Sequence, residues 1–352
     1  MTKQYIKFYA ISDITEYKLR KGRYKKIRTI GEGSFGKIIL VEKINPTKEN
    51  SLKKKNPKYY ALKIPRRFKI ISNISNSENK PEEEKDENQK DISHLELREV
   101  IIMNKIEHPN VLNSIDSSIS KEYNETWILM DYLPTDLYKF FQEKKDDPKY
   151  MNEKFFKKIS YQILQGVNHL HEKKIMHRDL KLENILFDAE KEICRIGDFG
   201  LSREYDFDTK VQYTDVGTFP YKPPELILGL THYSCAFDIW SVGCILVEIC
   251  TGCRLFGEDN SLGVLKLMFK IFGTFNENIL HGFKNFPASK LLEYLPQTED
   301  GIGLVNYIMA KQKFNLSCDF YDLIEKMLCI DPTRRINAKD CLNHSWFSNM
   351  NN

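Results

Sequence analysis

In the first third of the chain, apolar and polar positions alternate in the pattern of half-buried β-strands. Over Tyr60–Ile64, large apolar side chains alternate with Ala61 and Lys63, which is the period of two that sends successive side chains to opposite faces of a strand. Two more strands are predicted over residues 24–41, joined by a glycine-rich turn, and a buried strand is predicted over residues 127–133. The pattern places Ala61 and Lys63 together on one face of their strand.

Further along the chain the spacing becomes that of α-helices. Apolar residues recur at helical spacing from His94 to Ile106, and His108-Pro109-Asn110 ends the pattern. A long core helix is predicted over residues 155–170, and the almost continuously apolar stretch 238–246 predicts a buried helix. Most of the regular structure after residue 134 is therefore expected to be helical.

Composition changes this picture mainly between residues 45 and 93, where Lys, Asn, Glu and Ser predominate. Apart from the strand near residue 60, such a segment cannot bury a hydrophobic core. We expect residues 73–91 to form a flexible insertion. A tolerated loop expansion is the simpler interpretation, and a partner-binding segment is the alternative.

The charge of the chain argues against two classes of partner. Its 352 residues include 53 basic and 49 acidic side chains, and the net charge of +4 is too small to favour nucleic acid or membrane binding. All eight cysteines lie in the second half without paired metal-ligand spacing, which favours a reducing intracellular compartment. The N-terminus lacks a signal-peptide core, and no apolar run approaches the ~20 residues of a membrane span. We expect a soluble protein of the cytoplasm or nucleus.

The candidate chemistry is concentrated in the run His177-Arg178-Asp179-Leu180-Lys181-Leu182-Glu183-Asn184, followed by Asp198-Phe199-Gly200. Phosphoryl transfer requires a hydroxyl held in line with a γ-phosphate and neutralisation of the charge on its oxygens. Asp179 is the candidate base that orients the hydroxyl, and Lys181 is the candidate cation for the γ-phosphate. Asn184 and Asp198 offer the hard oxygen ligands that Mg²⁺ prefers.

These two motifs resemble the catalytic loop and metal-binding tripeptide of eukaryotic protein kinases, and the resemblance extends over about residues 24–347. It implies an α+β, two-lobed fold, with a small antiparallel β-sheet lobe that carries a regulatory helix and a larger, mainly helical lobe. The implied limits are an N-terminal extension 1–23, an N-lobe 24–133 with an insertion at about 45–93, a C-lobe 134–347 and a tail 348–352. For residues 1–23, fraying is the simpler expectation, and a cover over the small lobe is the alternative.

The resemblance also implies a site for ATP and Mg²⁺. Lys63 would pair with the α- and β-phosphates and with Glu99, for which Glu96 is the competitor, while Thr218 would bridge Asp179 and Lys181. A buried pair of Glu225 with Arg335 is implied as well. The nucleotide contacts implied by the family are Ile30, Gly31, Gly33, Ser34, Gly36, Ile38, Ala61, Lys63, Met130, Asp131, Leu133, Asp136 and Leu186.

Within the kinases, the chain most resembles the cyclin-dependent kinases of the CMGC group, with mitogen-activated kinases next. Arg98, Arg178 and Arg203 stand where that family gathers a cluster that binds a phosphorylated loop residue. Two alignments of the loop place the phosphate acceptor at Thr214 or at Tyr213, and Thr214 is favoured. The resemblance implies protein substrates and a cyclin-like activating partner, whereas an enzyme that works without a cyclin is the alternative.

Two departures from the family pattern bear on substrate choice. Gly217 replaces a residue that is usually held in a strained conformation, and Lys222 replaces the arginine that responds to it. Glycine adopts such a conformation without cost, and lysine cannot reproduce the fork of arginine, so strict selection for proline after the phosphorylated residue is in doubt. A pseudokinase scaffold is the rival to catalysis, but Lys63, Asp179 and Asp198 are all present. A small-molecule kinase is disfavoured by the protein-substrate platform that the second half implies.

Overall fold

The structure is a computed structural model, and it describes residues 15–33, 36–44, 58–65, 94–120, 125–205, 216–231, 233–276, 278–295 and 300–350. The described residues fall into two compact units. The first contains those up to Asn104 together with Asn113–Tyr132, and the second contains Lys105–Leu112 and those from Leu133 onward. The insertion predicted at 73–91 lies outside the described residues.

The first unit is built on a six-stranded antiparallel sheet with the order β1-β2-β3-β4-β6-β5. One face of the sheet carries a cluster of buried apolar residues that includes Ile39, Leu62 and Leu129, each with no exposed surface. The strands predicted over residues 24–41, 60–64 and 127–133 are confirmed as β2, β3, β4 and β6. The bounds of all six strands are β1 Glu16–Leu19, β2 Gly22–Gly33, β3 Gly36–Ile44, β4 Tyr59–Pro65, β5 Asp116–Ser120 and β6 Glu125–Asp131.

Strand β1 is an addition that the sequence analysis did not predict. Tyr17 and Leu19 are buried and alternate with exposed neighbours, and the ring of Tyr17 meets Trp127 edge-on with 5.0 Å between the ring centroids. The expectation of fraying over residues 1–23 is therefore wrong for Glu16–Leu19. Burying an aromatic ring and a leucine yields about 1.5–3 kcal/mol per side chain, and this gain helps to offset the entropy lost when the strand becomes ordered.

The helix predicted between the strands is α1, His94–Lys105. Glu99, Ile102 and Met103 are buried, and their spacing of three and four residues places them on one face of the helix. Leu97 and Ile101 are 37 % and 50 % exposed, so another face of α1 carries apolar side chains that the first unit does not cover.

The second unit is mainly helical, with short strand pairs. The helices are α2 Leu137–Glu143, α3 Glu153–Glu172, α4 Pro224–Ile227, α5 Ala236–Thr251, α6 Ser261–Phe272, α7 Leu304–Lys311, α8 Cys318–Met327 and α9 Ala338–Leu342. The strands are β7 Thr135–Asp136, β8 Ile175–Met176, β9 Ile185–Asp188, β10 Ile193–Ile196 and β11 Arg203–Glu204. The order β10-β9-β7 forms one small sheet, and β11 pairs with β8. Antiparallel sheet in one unit and helices in the other confirm the α+β class.

Helices α3 and α5 form the centre of the second unit. Helix α3 begins at Asn152, whose side chain accepts the Phe155 N–H at 2.9 Å, as expected of an N-cap. Every residue of α5 from Phe237 to Thr251 is buried, which explains its nearly continuous apolar sequence. Gly252 ends the helix in a left-handed conformation with φ of 72°. Among the helices that the structure describes, none has the length and apolarity needed to cross a membrane.

The predicted pair of Glu225 with Arg335 is confirmed. Two guanidinium nitrogens of Arg335 donate to the two carboxylate oxygens of Glu225 at 2.9 and 3.1 Å, and both side chains are almost completely buried. The remaining N–H groups of Arg335 reach backbone carbonyls, including Cys329 O at 3.0 Å and Ala236 O at 2.8 Å. This bidentate pair connects α4 with the chain that follows α8.

Candidate active site

The loop that carries the candidate base is held by a carboxylate from α5. The backbone N–H groups of His177 and Arg178 donate to the two oxygens of Asp238, each at 2.9 Å. Arg178 has a φ of 69°, a left-handed conformation that is uncommon outside glycine. Because Asp238 is 1 % exposed, these bonds hold the backbone one residue before Asp179 from within the protein core.

Asp238 also binds a histidine that the sequence analysis did not select. His171 Nε2 lies 3.0 Å from Asp238 Oδ2. Burial alone would lower the pKa of His171, but hydrogen bonds to Asp238 and Cys235, together with the charge of Asp238, raise this pKa to about 9. Burial would likewise raise the pKa of Asp238, whereas the hydrogen bond and the charge of His171 lower it. The two groups therefore form a charged pair beneath the loop.

Asp179 is the centre of a network that brings together most of the predicted catalytic residues. Thr218 Oγ1 donates to Asp179 Oδ1 at 2.7 Å, and Lys181 Nζ donates to Asp179 Oδ2 at 2.9 Å. Lys181 also donates to Thr218 Oγ1 at 3.1 Å, so the predicted bridge of Thr218 between Asp179 and Lys181 is confirmed. The side-chain amide of Asn184 donates to Asp179 O and Oδ2 at 2.8 and 3.1 Å. The carboxylate of Asp179 is thus oriented from three sides.

The two predicted metal ligands are Asn184, which belongs to this network, and Asp198, which lies further along the chain. The amide nitrogen of Asn184 is used by Asp179, so its amide oxygen, the atom that would bind a cation, is not needed for those bonds. Gly197 N–H donates to Asn184 O at 2.8 Å, and the next residue, Asp198, has a left-handed φ of 61°. Within the described ranges no group of three or more His, Cys, Asp or Glu is placed to hold a metal ion. Mg²⁺ usually takes one or two carboxylates together with substrate phosphates, so the oxygen donors present fit a magnesium ion that arrives with a nucleotide.

In the first unit, the predicted ion pair of Lys63 with Glu99 is confirmed. Lys63 Nζ lies 2.5 Å from Glu99 Oε1, and both side chains are 5 % exposed. Strand β4 positions the lysine between β3 and β6, because Lys63 pairs with Ile38 on one side and with Ile128 on the other. The predicted competitor, Glu96, has a side chain that lies outside the described residues.

Some of the residues predicted to contact the nucleotide belong to the first unit and the others to the second. In the first unit, Ala61 pairs with Met130 across β4 and β6 and with Leu40 on β3. Ala61 and Met130 are buried. Ile38 pairs with Gly31. Two further glycines, Gly33 and Gly36, face each other at the end of the same strand pair. Ile30 is partly buried, and Asp131 is the last residue of β6. Ser34 lies outside the described residues.

The second unit holds the remaining nucleotide candidates. Leu186 on β9 pairs with Asp136 on β7, and Leu133 precedes this strand. The carboxylate of Asp136 accepts the Lys139 N–H at 2.8 Å and caps α2, which is a structural role that the sequence analysis did not predict. The second carboxylate oxygen of Asp136 lies 2.8 Å from the exposed ammonium of the same Lys139.

Gly217 has the conformation that its glycine identity suggested. Its φ is 79°, and a Cβ built there would lie 2.9 Å from both Arg178 O and Phe237 Cζ. Because the first of these atoms is backbone, a side chain at this position requires the loop itself to shift. The ammonium of Lys222 lies 4.3 Å from the ring centroid of Phe219, a cation–π arrangement that differs from the guanidinium contact expected in the family.

The arginines predicted to bind a phosphate are only partly defined by the described residues. Arg178 Nε donates to Leu201 O at 2.7 Å, and its Nη1 donates to the hydroxyl of Tyr233 at 2.9 Å. Arg203 lies on β11 of the second unit, and Arg98 lies on α1 of the first. The two predicted acceptors, Tyr213 and Thr214, lie outside the described residues, so the phosphate cluster stays a prediction.

Comparison with known proteins agrees with this geometry. The family model described as "Protein kinase domain" matches residues 24–347. A cyclin-dependent kinase 1 of Encephalitozoon cuniculi is 30 % identical over 327 residues, which cover 93 % of this chain and 97 % of the relative. A probable CTD kinase subunit alpha homolog of the same organism is 33 % identical over 328 residues, covering 93 % of this chain and 85 % of the relative. The mouse cyclin-dependent kinase 11B is 36 % identical over 253 residues, covering 71 % of this chain but only 31 % of that longer protein.

The chain therefore belongs to the protein kinase family, among the cyclin-dependent-kinase-like members of its CMGC group. It is an ATP-dependent serine/threonine protein kinase. Membership of this family implies ATP as the phosphate donor and Mg²⁺ as its usual companion.

Proposed function

We propose that the γ-phosphate of Mg-ATP passes to serine and threonine hydroxyls of protein substrates, and that Asp179 is the base of this reaction. The observation that carries the proposal is the convergence of Lys181, Thr218 and Asn184 on one carboxylate. A base must be held within hydrogen-bond reach of the proton that it accepts. The three donors hold Asp179 in one orientation, and since Oδ2 accepts from two of them while Oδ1 accepts from Thr218 alone, a lone pair remains on Oδ1 for the substrate hydroxyl.

Each residue of the network has a distinct task in this proposal. Asp179 orients the attacking hydroxyl and accepts its proton. Lys181, which is charged and 19 % exposed at its side chain, contributes a cation for the γ-phosphate, while Thr218 keeps the ammonium and the carboxylate together. Phosphoryl transfer depends almost entirely on positioning and charge stabilisation, so a rigid arrangement of this kind is the main requirement.

Lys63 and the two metal candidates provide for the nucleotide. The buried contact with Glu99 holds the Lys63 ammonium in place for the α- and β-phosphates. Asn184 and Asp198 supply the oxygen ligands for magnesium, and the ion supplies charge neutralisation on the phosphate oxygens when it is bound. The pseudokinase alternative would keep the fold but not the transfer of phosphate.

Phosphate transfer to a generic protein substrate tests this proposal. We expect the full chain to label serine and threonine when ATP and Mg²⁺ are supplied, and to stop when the magnesium is chelated. Lys63→Met is expected to lower kcat/KM about 10²–10³-fold, because it removes a fixed donor at the phosphates. Lys58→Met, a change at an exposed lysine close to the same strand, is the matched control and is expected to retain activity. ATP binding without any transfer by the wild-type chain would favour the scaffold alternative.

We further propose that activity is switched on by phosphorylation of Thr214, with Tyr213 as the alternative acceptor. A phosphate there would be bound by Arg98, Arg178 and Arg203, since planar guanidiniums bind phosphate oxygens in pairs. Support comes from Arg178, whose guanidinium already bonds to two different chain segments near the candidate base through Leu201 and Tyr233.

A cyclin-like protein is the partner that we propose for α1. Its support is the exposure of Leu97 and Ile101 on the same helix that carries Glu99, because exposed apolar side chains that lie together mark contact surfaces. Contact with α1 would control the position of Glu99 and therefore of the Lys63 ammonium.

Comparing the enzyme isolated from its native cells with the chain produced alone tests both forms of regulation. The native enzyme is expected to carry phosphate at Thr214 or Tyr213, to copurify with a partner and to be at least about tenfold more active, because ordering of catalytic elements sets the rate in this family. Phosphopeptide mapping and mass spectrometry of copurifying proteins provide the measurements. Equal activity of the chain alone, unmodified at both positions, would overturn both proposals.

A further inference from the structure

An arginine lies between two carboxylates directly beside the catalytic network. Arg254 Nη2 donates to Glu183 Oε1 at 2.9 Å, and Arg254 Nε lies 3.6 Å from Glu248 Oε1. Its guanidinium also lies 5.9 Å from the ring centroid of Tyr138. Glu183 belongs to the short 3₁₀ turn Leu182–Asn184, so it precedes one of the proposed magnesium ligands.

The two carboxylates differ in their surroundings. Glu248 on α5 has an 8 % exposed side chain and accepts the Tyr221 hydroxyl at 2.6 Å. Burial raises its pKa, and the nearby charge of Glu183 acts in the same direction, whereas Tyr221 and Arg254 oppose the shift. Glu183 Oε2 is buried and accepts no hydrogen bond from any residue that the structure describes. The pair therefore has more acceptor capacity than Arg254 uses.

This carboxylate pair remains accessible to an external group. The side chains of Arg254 and Glu183 are 36 % and 33 % exposed, and that of Glu248 is 8 % exposed. Arg254 follows the C-terminal end of α5, after the left-handed Gly252, so it enters the site from a loop rather than from the helix that carries Glu248. Two carboxylates and an aromatic ring around a guanidinium are the contacts with which a protein binds an arginine side chain.

We propose that Arg254 is a specificity-determining residue, which fills a carboxylate pocket that would otherwise accept an arginine of the peptide substrate. The inference rests on the proposed function, because it concerns the peptide that Asp179 would phosphorylate. Arg254 satisfies Glu183 and Glu248 from within the chain, and the wild-type enzyme consequently does not select a basic residue through this pocket. Removing the guanidinium leaves two neighbouring carboxylates without a cation, a deficit that a substrate arginine repairs.

Peptide substrates with arginine or alanine scanned through each position around a serine or threonine test this inference. For Arg254→Ala in the full chain, we expect arginine at one flanking position to raise kcat/KM about tenfold over alanine, as charge-assisted hydrogen bonds to a partly exposed site allow. For the wild-type enzyme, kcat/KM is expected to differ by less than about twofold between arginine and alanine at that position. Arg254→Gln, which retains bulk and polarity, is the second variant and is expected to show the same gain.

Two control variants separate this role from a merely structural one. Arg254→Lys retains the cation and is expected to keep the wild-type pattern. The double variant Arg254→Ala with Glu183→Gln removes one carboxylate and is expected to lose most of the acquired preference. Thermal unfolding of each variant, together with its rate on the arginine-free peptide, measures any general damage.

A binding measurement makes the outcome independent of catalysis. The Kd of the arginine peptide divided by that of the alanine peptide is expected to be about tenfold lower in Arg254→Ala than in the wild-type enzyme. Free guanidinium ion competes for the pocket and is expected to return this ratio to the wild-type value. No gain at any position in either neutral variant, by rate or by binding, would overturn the inference. Failure of the wild-type chain to phosphorylate any peptide would overturn the proposed function instead, and the binding ratio would still decide the role of Arg254.

Discussion

Replacing Asp179 by asparagine is expected to lower the single-turnover rate of phosphoryl transfer about 10²–10⁴-fold, the range typical of a lost general base. Asparagine matches the shape of aspartate: its amide oxygen can accept from Lys181 and Asn184 in place of Oδ2, and its NH2 group can donate to the Thr218 hydroxyl in place of Oδ1, so the loop should keep its position. It cannot accept the proton of the substrate hydroxyl. The rate is measured after rapid mixing of the enzyme–ATP complex with a protein substrate, so that product release does not limit it.

The control for this experiment is a carboxylate of the same unit with no part in the network. Asp146 is exposed, and Asp146→Asn is expected to have the wild-type rate. The affinity for ATP, measured in parallel, should change little in Asp179→Asn, because the proposed role of Asp179 is on the hydroxyl rather than on the nucleotide. Equal single-turnover rates of Asp179→Asn and the wild-type enzyme would show that the assigned base is wrong.

The sequence was sufficient for those parts of the site whose members are close in the chain. Asp179, Lys181 and Asn184 fall within six positions, and a fixed local backbone therefore places them around one point. The alternation over β4 likewise predicted which face Lys63 occupies. In such segments the period of the pattern and the residue types carry the structural information directly.

The contacts that sequence reasoning missed join residues that are far apart in the chain. The bonds from His177 and Arg178 to Asp238 span 61 and 60 positions, and no local pattern indicates which loop a carboxylate will reach. An acidic residue at the start of an otherwise apolar helix was the available signal, since a buried charge needs partners. For Arg254 the separation from Glu183 is 71 positions, and one arginine among 53 basic side chains carries no such signal.

Strand β1 was missed for a different reason. Its pattern is short, because Glu16–Leu19 offers only two buried positions, Tyr17 and Leu19, and four residues cannot be distinguished from a loop by alternation alone. The strand is stabilised by tertiary packing of Tyr17 against Trp127 and by pairing with β2. Tertiary context therefore decides the structure of this segment.

Replacing Arg335 by methionine is expected to reduce the free energy of unfolding by about 3–5 kcal/mol, the usual cost of leaving one member of a buried ion pair alone. Both carboxylate oxygens of Glu225 lose their donors, and the carbonyls of Cys329 and Ala236 lose theirs. Denaturant unfolding followed by circular dichroism measures the change. The neighbouring Arg334 is exposed, so Arg334→Met is the matched control and is expected to change stability by less than about 1 kcal/mol.

A double variant shows whether the cost belongs to the pair or to the missing arginine. With Arg335→Met in place, Glu225→Leu removes the carboxylate that was left unpaired, and the double variant is expected to recover part of the lost stability, since an apolar replacement of a buried pair is often tolerated. The carbonyls that Arg335 satisfied remain without that donor, so recovery should be incomplete. A double variant no more stable than Arg335→Met alone would mean that the backbone bonds of Arg335, rather than its charge pair with Glu225, hold α4 in place.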